Sequence, residues 1–163
     1  MSKQTDSVAM DLGDILSREQ IITDLRATNR WEAIDELINN LVATGKITPE
    51  NHDAIAAVVK KRESSMSTGI GFGIGIPHGK TDLIKEVVGA LGRSKKGVDF
   101  PAADNQPVNL VVLFVVPEGQ FQKHLHTLAN MARLFHKAEF RQALEQAPDA
   151  DAMLQVIRSQ GQK

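Results

Sequence analysis

A chain of 163 residues with 19 Lys and Arg against 20 Asp and Glu carries a formal net charge of -1, which supplies no electrostatic reason for a nucleic-acid or anionic-membrane partner. The count of 0 Cys excludes disulfides, thiolate metal sites and a cysteine nucleophile, and a chain of this length buries roughly two-thirds of its unfolded surface in one core without them. The longest strongly apolar run, residues 110–116, falls short of the about 20 residues that cross a bilayer, and residues 1–11 lack the apolar block of a signal peptide. A cytoplasmic protein is expected.

Residues 1–11 are polar and expected to be flexible, residues 12–158 to form one domain, and residues 159–163 a polar tail. Residues 20–25 predict a short strand. Asn29 then reads as the N-cap of a helix, with Glu32 three positions on, and Ile34, Leu37, Ile38, Leu41 and Val42 follow the stripe of a buried helical face up to Gly45. Thr48-Pro49-Glu50 opens a second helix in the order N-cap then proline; its last turn holds Lys60, Lys61 and Arg62, suited to the negative end of the dipole, and then Glu63. Residues 64–69 read as a small-residue loop. Residues 87–91 predict a strand stopped by Gly92, residues 98–100 another short one, and residues 108–116, nearly all apolar and β-branched, a central strand covered on both faces. Helices follow over 123–135, around Phe140 and Leu144, and over 152–157. The fold class is α/β, a mixed β-sheet flanked by helices on both faces.

The chemistry concentrates in Gly69-Ile-Gly-Phe-Gly-Ile-Gly-Ile-Pro-His78-Gly-Lys80. Alternate glycines permit close approach of backbone or ligand, Pro77 holds Ile76 extended, and Gly79 is expected to release a sharp turn after His78. Gly79-Lys80-Thr81 imitates the end of a nucleotide-binding loop, but Gly75 and Gly73 stand three and five residues before the Gly-Lys pair instead of four, and the strict alternation also breaks the dinucleotide pattern. A metal site at His78, His124, His126 and His136 is disfavoured. Two residues of helix turn through roughly 200°, so His124 and His126 would not face one ion, and no carboxylate or thiolate completes a ligand set. A nucleophilic His78 remains, with one ring nitrogen free and the other held as a donor, beside cations or amides that hold phosphate oxygens; Arg62, a second imidazole and the amides near Gly79 are candidates. From these residues alone, a structural histidine stays open as well.

The run from Arg62 through Glu63-Ser-Ser-Met-Ser-Thr68 to His78-Gly-Lys80 closely resembles the signature of the fructose, mannitol and nitrogen-regulatory type EIIA domains of the bacterial phosphotransferase system. Gly97-Val-Asp-Phe100, Asp104-Asn-Gln-Pro-Val108, the apolar strand to Pro117, and His124-Leu-His-Thr-Leu-Ala129 follow in the family's order, so the resemblance covers about residues 12–158. It implies a phosphotransferase component with no cofactor. His78 would accept a phosphoryl group from the phosphocarrier HPr on Nε2, with Nδ1 tethered by a backbone carbonyl, and pass it to an EIIB domain or use it to control a regulatory target. The resemblance makes His124 the second histidine, beside the phosphoryl group, and Arg62 the neutralising cation. Ser67, Thr68 and Gly79 would add phosphate-binding donors.

Phe72 departs from the family, which often carries asparagine there, and Gly75 stands where alanine is usual. An interface contact or a core position is expected for Phe72. Trp31 is expected to pack on the first helix, and His52, His126 and His136 to be solvated. With only a polar tail after Ile157, a freestanding regulatory EIIA is the leading expectation. An EIIA serving a fructose- or mannitol-type permease is the alternative, and a domain that only binds is the third.

Overall fold

The computed structural model describes residues 12–102 and 104–161; the expected flexible segment over 1–11 lies outside them. The chain begins with the short helix α1 (Leu12–Ile15) and a 3-10 turn over Arg18–Gln20, then a strand reduced to β1 (Ile21–Ile22), and then α2 (Arg30–Ala43) and α3 (His52–Ser65). β2 (Gly69–Gly71), β3 (Ile74–Gly75), β4 (His78–Thr81), β5 (Val88–Val98) and β6 (Val108–Pro117) follow, and α4 (Phe121–Phe135), α5 (Ala138–Gln146) and α6 (Ala150–Gly161) close the chain. The helix α6 therefore continues beyond residue 158, the expected end of the domain.

The predicted capping of α2 is made at Asn29, whose Oδ1 accepts the Glu32 N–H at 2.9 Å. The Glu32 carboxylate reaches back to Thr28, accepting from its N–H and its hydroxyl, both at 2.9 Å, one residue before the cap. Ile34, Leu37, Ile38 and Leu41 are fully buried, and Gly45 at φ 78° lets the chain leave the helix. Pro49 opens a 3-10 turn, Pro49–Asn51, that leads into α3.

The sheet has the order β1-β5-β6-β3-β2, with β4 also on β6. β5 runs antiparallel to β6, and β3 and β4 lie parallel to successive lengths of its other edge. Burial on both faces follows from the alternation in β6: Val111, Leu113 and Val115 pack with α2 and α3, while Leu110, Val112 and Phe114 pack with α1, α4, α5 and α6. None of these six is more than 1% exposed. This is the predicted α/β class, a mixed sheet between two helical layers.

Gly92 does not stop β5, which runs from Val88 to Val98 and absorbs part of the second short strand expected near Val98. A Cβ at Gly92 would lie 2.6 Å from Leu25 Cγ, so the missing side chain admits Leu25. The next residue, Arg93, is 7% exposed. Its Nη1 donates to the carbonyls of Leu144 (2.8 Å) and Ala147 (2.7 Å), and its Nε to that of Thr23 (3.2 Å), joining β5 to the end of α5 and to the chain after β1.

Candidate functional site

The glycine run folds as two short pairs on the edge of β6. β2 and β3 form a hairpin whose two loop residues, Phe72 (φ 59°) and Gly73 (φ 78°), are both left-handed, the geometry of a type I′ turn. Asparagine adopts that conformation more readily than phenylalanine, so Phe72 places backbone strain at the turn. The Phe72 N–H donates to Asp104 Oδ2 at 2.9 Å. That amide and the Gln106 amide hold the Asp104 carboxyl below the usual carboxylate range. Phe72 is 52% exposed, so it is no core residue; its ring lies 5.2 Å from that of His136 and 4.7 Å from the Arg141 guanidinium.

Pro77 then bends the chain into β4, and His78 is the first strand residue, level with Phe114 of β6. The expected sharp turn after His78 is absent. Gly79 continues the ladder opposite Val115, and a Cβ there would lie 2.9 Å from Val58 Cγ1 and 3.4 Å from Val59 Cα. The glycine lets α3 approach β4.

His78 is half-buried and its Nδ1 lies 2.8 Å from the Ile76 carbonyl oxygen. A carbonyl only accepts, so Nδ1 carries the proton and the neutral ring keeps its lone pair on Nε2. Burial pushes the His78 pKa down from 6.5, as does the Arg62 charge, against the opposing pull of the Ile76 carbonyl and of Glu63. The imidazole is thus neutral and nucleophilic at neutral pH. It lines a cavity of about 190 Å³ together with Arg62, Ser67, Thr68 and, from α4, Leu128. Arg62 is held by one donor, Nη1 to the Met66 carbonyl at 2.9 Å, and the rest of its guanidinium fork has no other partner among the described residues.

The hydroxyls expected to bind phosphate are already engaged. Ser67 Oγ donates to the Pro101 carbonyl and accepts from the Gly69 N–H. Thr68 gives both its hydroxyl (2.6 Å) and its N–H (3.0 Å) to the carboxylate of Glu63, a fully buried residue that sequence reasoning passed over. Its position was a signal, since an acidic group in the last turn of α3 opposes the helix dipole and needs a specific partner.

His124 stands one helical turn before Leu128, on the same face of α4, and so lies next to a residue that lines the His78 cavity. It is 1% exposed, with Gln120 Oε1 3.3 Å from Nε2 and Thr127 Oγ1 3.4 Å from Nδ1. It also borders a cavity that takes in Lys46, Lys85, Glu86 and Lys123. Burial and Lys123 hold its pKa down. His126 and His136 are exposed on α4 and its end; His52 is half-buried between Asp53 and Asn39. Trp31 is half-buried at the start of α2 beneath the Arg30 guanidinium, 4.3 Å from its ring.

Over residues 14–160 the sequence matches the family described as phosphoenolpyruvate-dependent sugar phosphotransferase system, EIIA 2. The chain belongs to this family. It is 32% identical over 148 residues to a nitrogen regulatory protein of Bradyrhizobium diazoefficiens, covering 91% of this chain and 95% of that protein. It is 31% identical over 147 residues to a fructose-specific EIIA component of Haloferax volcanii, covering 90% and 94%. The crystal structure of the nitrogen regulatory protein IIA-Ntr of Neisseria meningitidis superposes with a TM-score of 0.81 at 28% identity, over 90% of this chain and 98% of that one. As a type 2 EIIA it is a phosphotransfer protein, and among its described residues no helix is long and apolar enough to cross a membrane.

Proposed function

We propose that this EIIA carries a phosphoryl group on Nε2 of His78, received from phospho-HPr in the cytoplasm, and that its phosphorylation state controls regulatory partners. One observation supports the site above the others: the 2.8 Å contact from Nδ1 to the Ile76 carbonyl, which directs the lone pair to the other nitrogen. In the transfer, the donor's P–N bond breaks as the bond from Nε2 to phosphorus forms. The Nδ1 proton stays on the ring, and the Ile76 carbonyl accepts from the imidazolium that results. Arg62 supplies a cation to the phosphoryl oxygens. Thr68 and Gly79 serve as framework, and His124, one turn of α4 from Leu128 of the His78 cavity, serves as the second histidine beside the phosphoryl group.

The regulatory reading follows the Bradyrhizobium relative, matched along 95% of its length. A second reading, transfer to an EIIB of a fructose-type permease, has the Haloferax relative in its favour at nearly equal identity. Incubation with phosphoenolpyruvate, enzyme I and HPr tests the carrier role. Intact mass should show one added phosphoryl group on the wild type and none on His78→Ala; a folded wild type that gains none would leave a domain that only binds. Chase of the phosphorylated protein with a fructose-type EIIB then separates the two readings, because rapid loss of phosphate to EIIB favours transport.

A further inference from the structure

We propose that Glu63, acting through Thr68 and held by Arg30, is a positioning residue for the His78 ring. The proposal rests on the reading of His78 as the phosphoryl acceptor, and an unbroken run of hydrogen bonds links Glu63 to the His78 ring. Glu63 Oε1 accepts the Thr68 hydroxyl at 2.6 Å, and Oε2 accepts the Thr68 N–H at 3.0 Å. The Thr68 carbonyl accepts the Ile76 N–H at 3.1 Å, and the Ile76 carbonyl accepts from His78 Nδ1 at 2.8 Å. On its other side Oε2 takes Arg30 Nη1 at 3.1 Å, an ion pair whose side chains are 0% and 20% exposed for Glu63 and Arg30.

A buried pair of this kind is poor evidence for added stability, because desolvation offsets its attraction; its best-attested use is to select one geometry among several. Here the geometry selected is that of the loop between α3 and β2, where two bonds to one carboxylate fix Thr68 and leave its carbonyl to fix Ile76. The carboxylate also lies close enough to favour the protonated ring. Phosphorylation at Nε2 with the proton retained at Nδ1 gives the ring that same positive charge, so Glu63 both aims the acceptor and stabilises the ring that has accepted.

Long-range 1H–15N NMR of His78, together with the initial rate of phosphorylation by phospho-HPr, tests this in wild type, Glu63→Gln, Thr68→Val and Thr68→Ser. The wild type should show neutral His78 protonated on Nδ1. In Glu63→Gln the ring pKa should fall further, the Nε2-protonated tautomer should appear, and the rate should drop about 10-fold to 100-fold, the size of loss that small misplacements cause. Thr68→Val should slow transfer likewise, and Thr68→Ser, which restores the hydroxyl, should return it to near the wild-type rate. A folded Glu63→Gln with wild-type pKa, tautomer and rate overturns the proposal. If Glu63→Gln does not fold, the threonine variants decide, and a Thr68→Ser as slow as Thr68→Val counts against it. A wild type that takes no phosphate removes the carrier reading alone, since the ring pKa and tautomer in the variants still report the positioning.

Discussion

The centre of the sheet and its glycine-rich edge are built on different principles. The side chains of β6 are held by burial: Val111, Leu113 and Val115 face one helical layer and Leu110, Val112 and Phe114 the other, and these side-chain contacts are non-directional. At the adjoining edge, Ile74 and Ile76 also reach the core, but the position of His78 is set by directed bonds to single atoms, linking Glu63 to Thr68, Thr68 to Ile76, and Ile76 to His78. The centre tolerates chemical similarity; the edge tolerates very little change in position. Stability and reactivity therefore depend on separate sets of residues.

Substitutions should divide the same way. His78→Ala should abolish phosphate acceptance altogether while moving the melting temperature little, and a variant still carrying phosphate by intact mass would remove the assigned acceptor. Arg62→Ala should slow transfer by roughly 10²-fold, the loss typical of removing one group aimed at developing charge; an unchanged rate would mean that the cation is not needed. Phe114→Ala, in contrast, should cost about 3–5 kcal/mol in denaturant unfolding through the cavity it leaves. At the hairpin tip, Phe72→Val should cost about 2 kcal/mol, because a β-branched residue fits φ 59° poorly and loses the contacts with Arg141 and His136. Phe72→Asn should change stability by less than about 1 kcal/mol, relief of backbone strain offsetting those lost contacts.

The pH dependence sharpens the contrast further. The His78 pKa is depressed below 6.5, chiefly by burial and then by Arg62, so the ring stays a nucleophile at pH 6.5, and acceptance should fall only in a more acidic range. The unfolded chain takes up a proton at this histidine before the folded one does. His78 therefore lowers stability progressively as pH falls from about 6.5 toward its folded value, and the loss levels off below that. His124, also depressed, acts in the same direction. A His78 titration by NMR centred at or above 6.5 would contradict the burial that sets it.

The sequence disclosed the burial-driven region well, because periodicity records which face is apolar: β6, the stripe of α2 and its Asn29 cap all stand where the pattern put them. Glycines were harder to read. Gly92 and Gly79 look like stops in one dimension, and both instead make space for a distant neighbour, Leu25 and Val58, that no local pattern reveals. At the site, the motif indicated His78 and Arg62, and proline before the histidine led to an extended Ile76. The engagement of Thr68 by Glu63 depends on where α3 lies in space, which residue spacing does not specify.

Arg93 carries a consequence for how the molecule opens. Its guanidinium draws together backbone oxygens from the end of α5, the link to α6 and the segment after β1, so the two C-terminal helices cannot peel away without exposing a bare cation in an apolar layer. Amide hydrogens of α5 should consequently exchange with solvent in the same cooperative event as those of β5, and the C-terminal helices should behave as part of the sheet's own unfolding unit, with no independent fraying of their own.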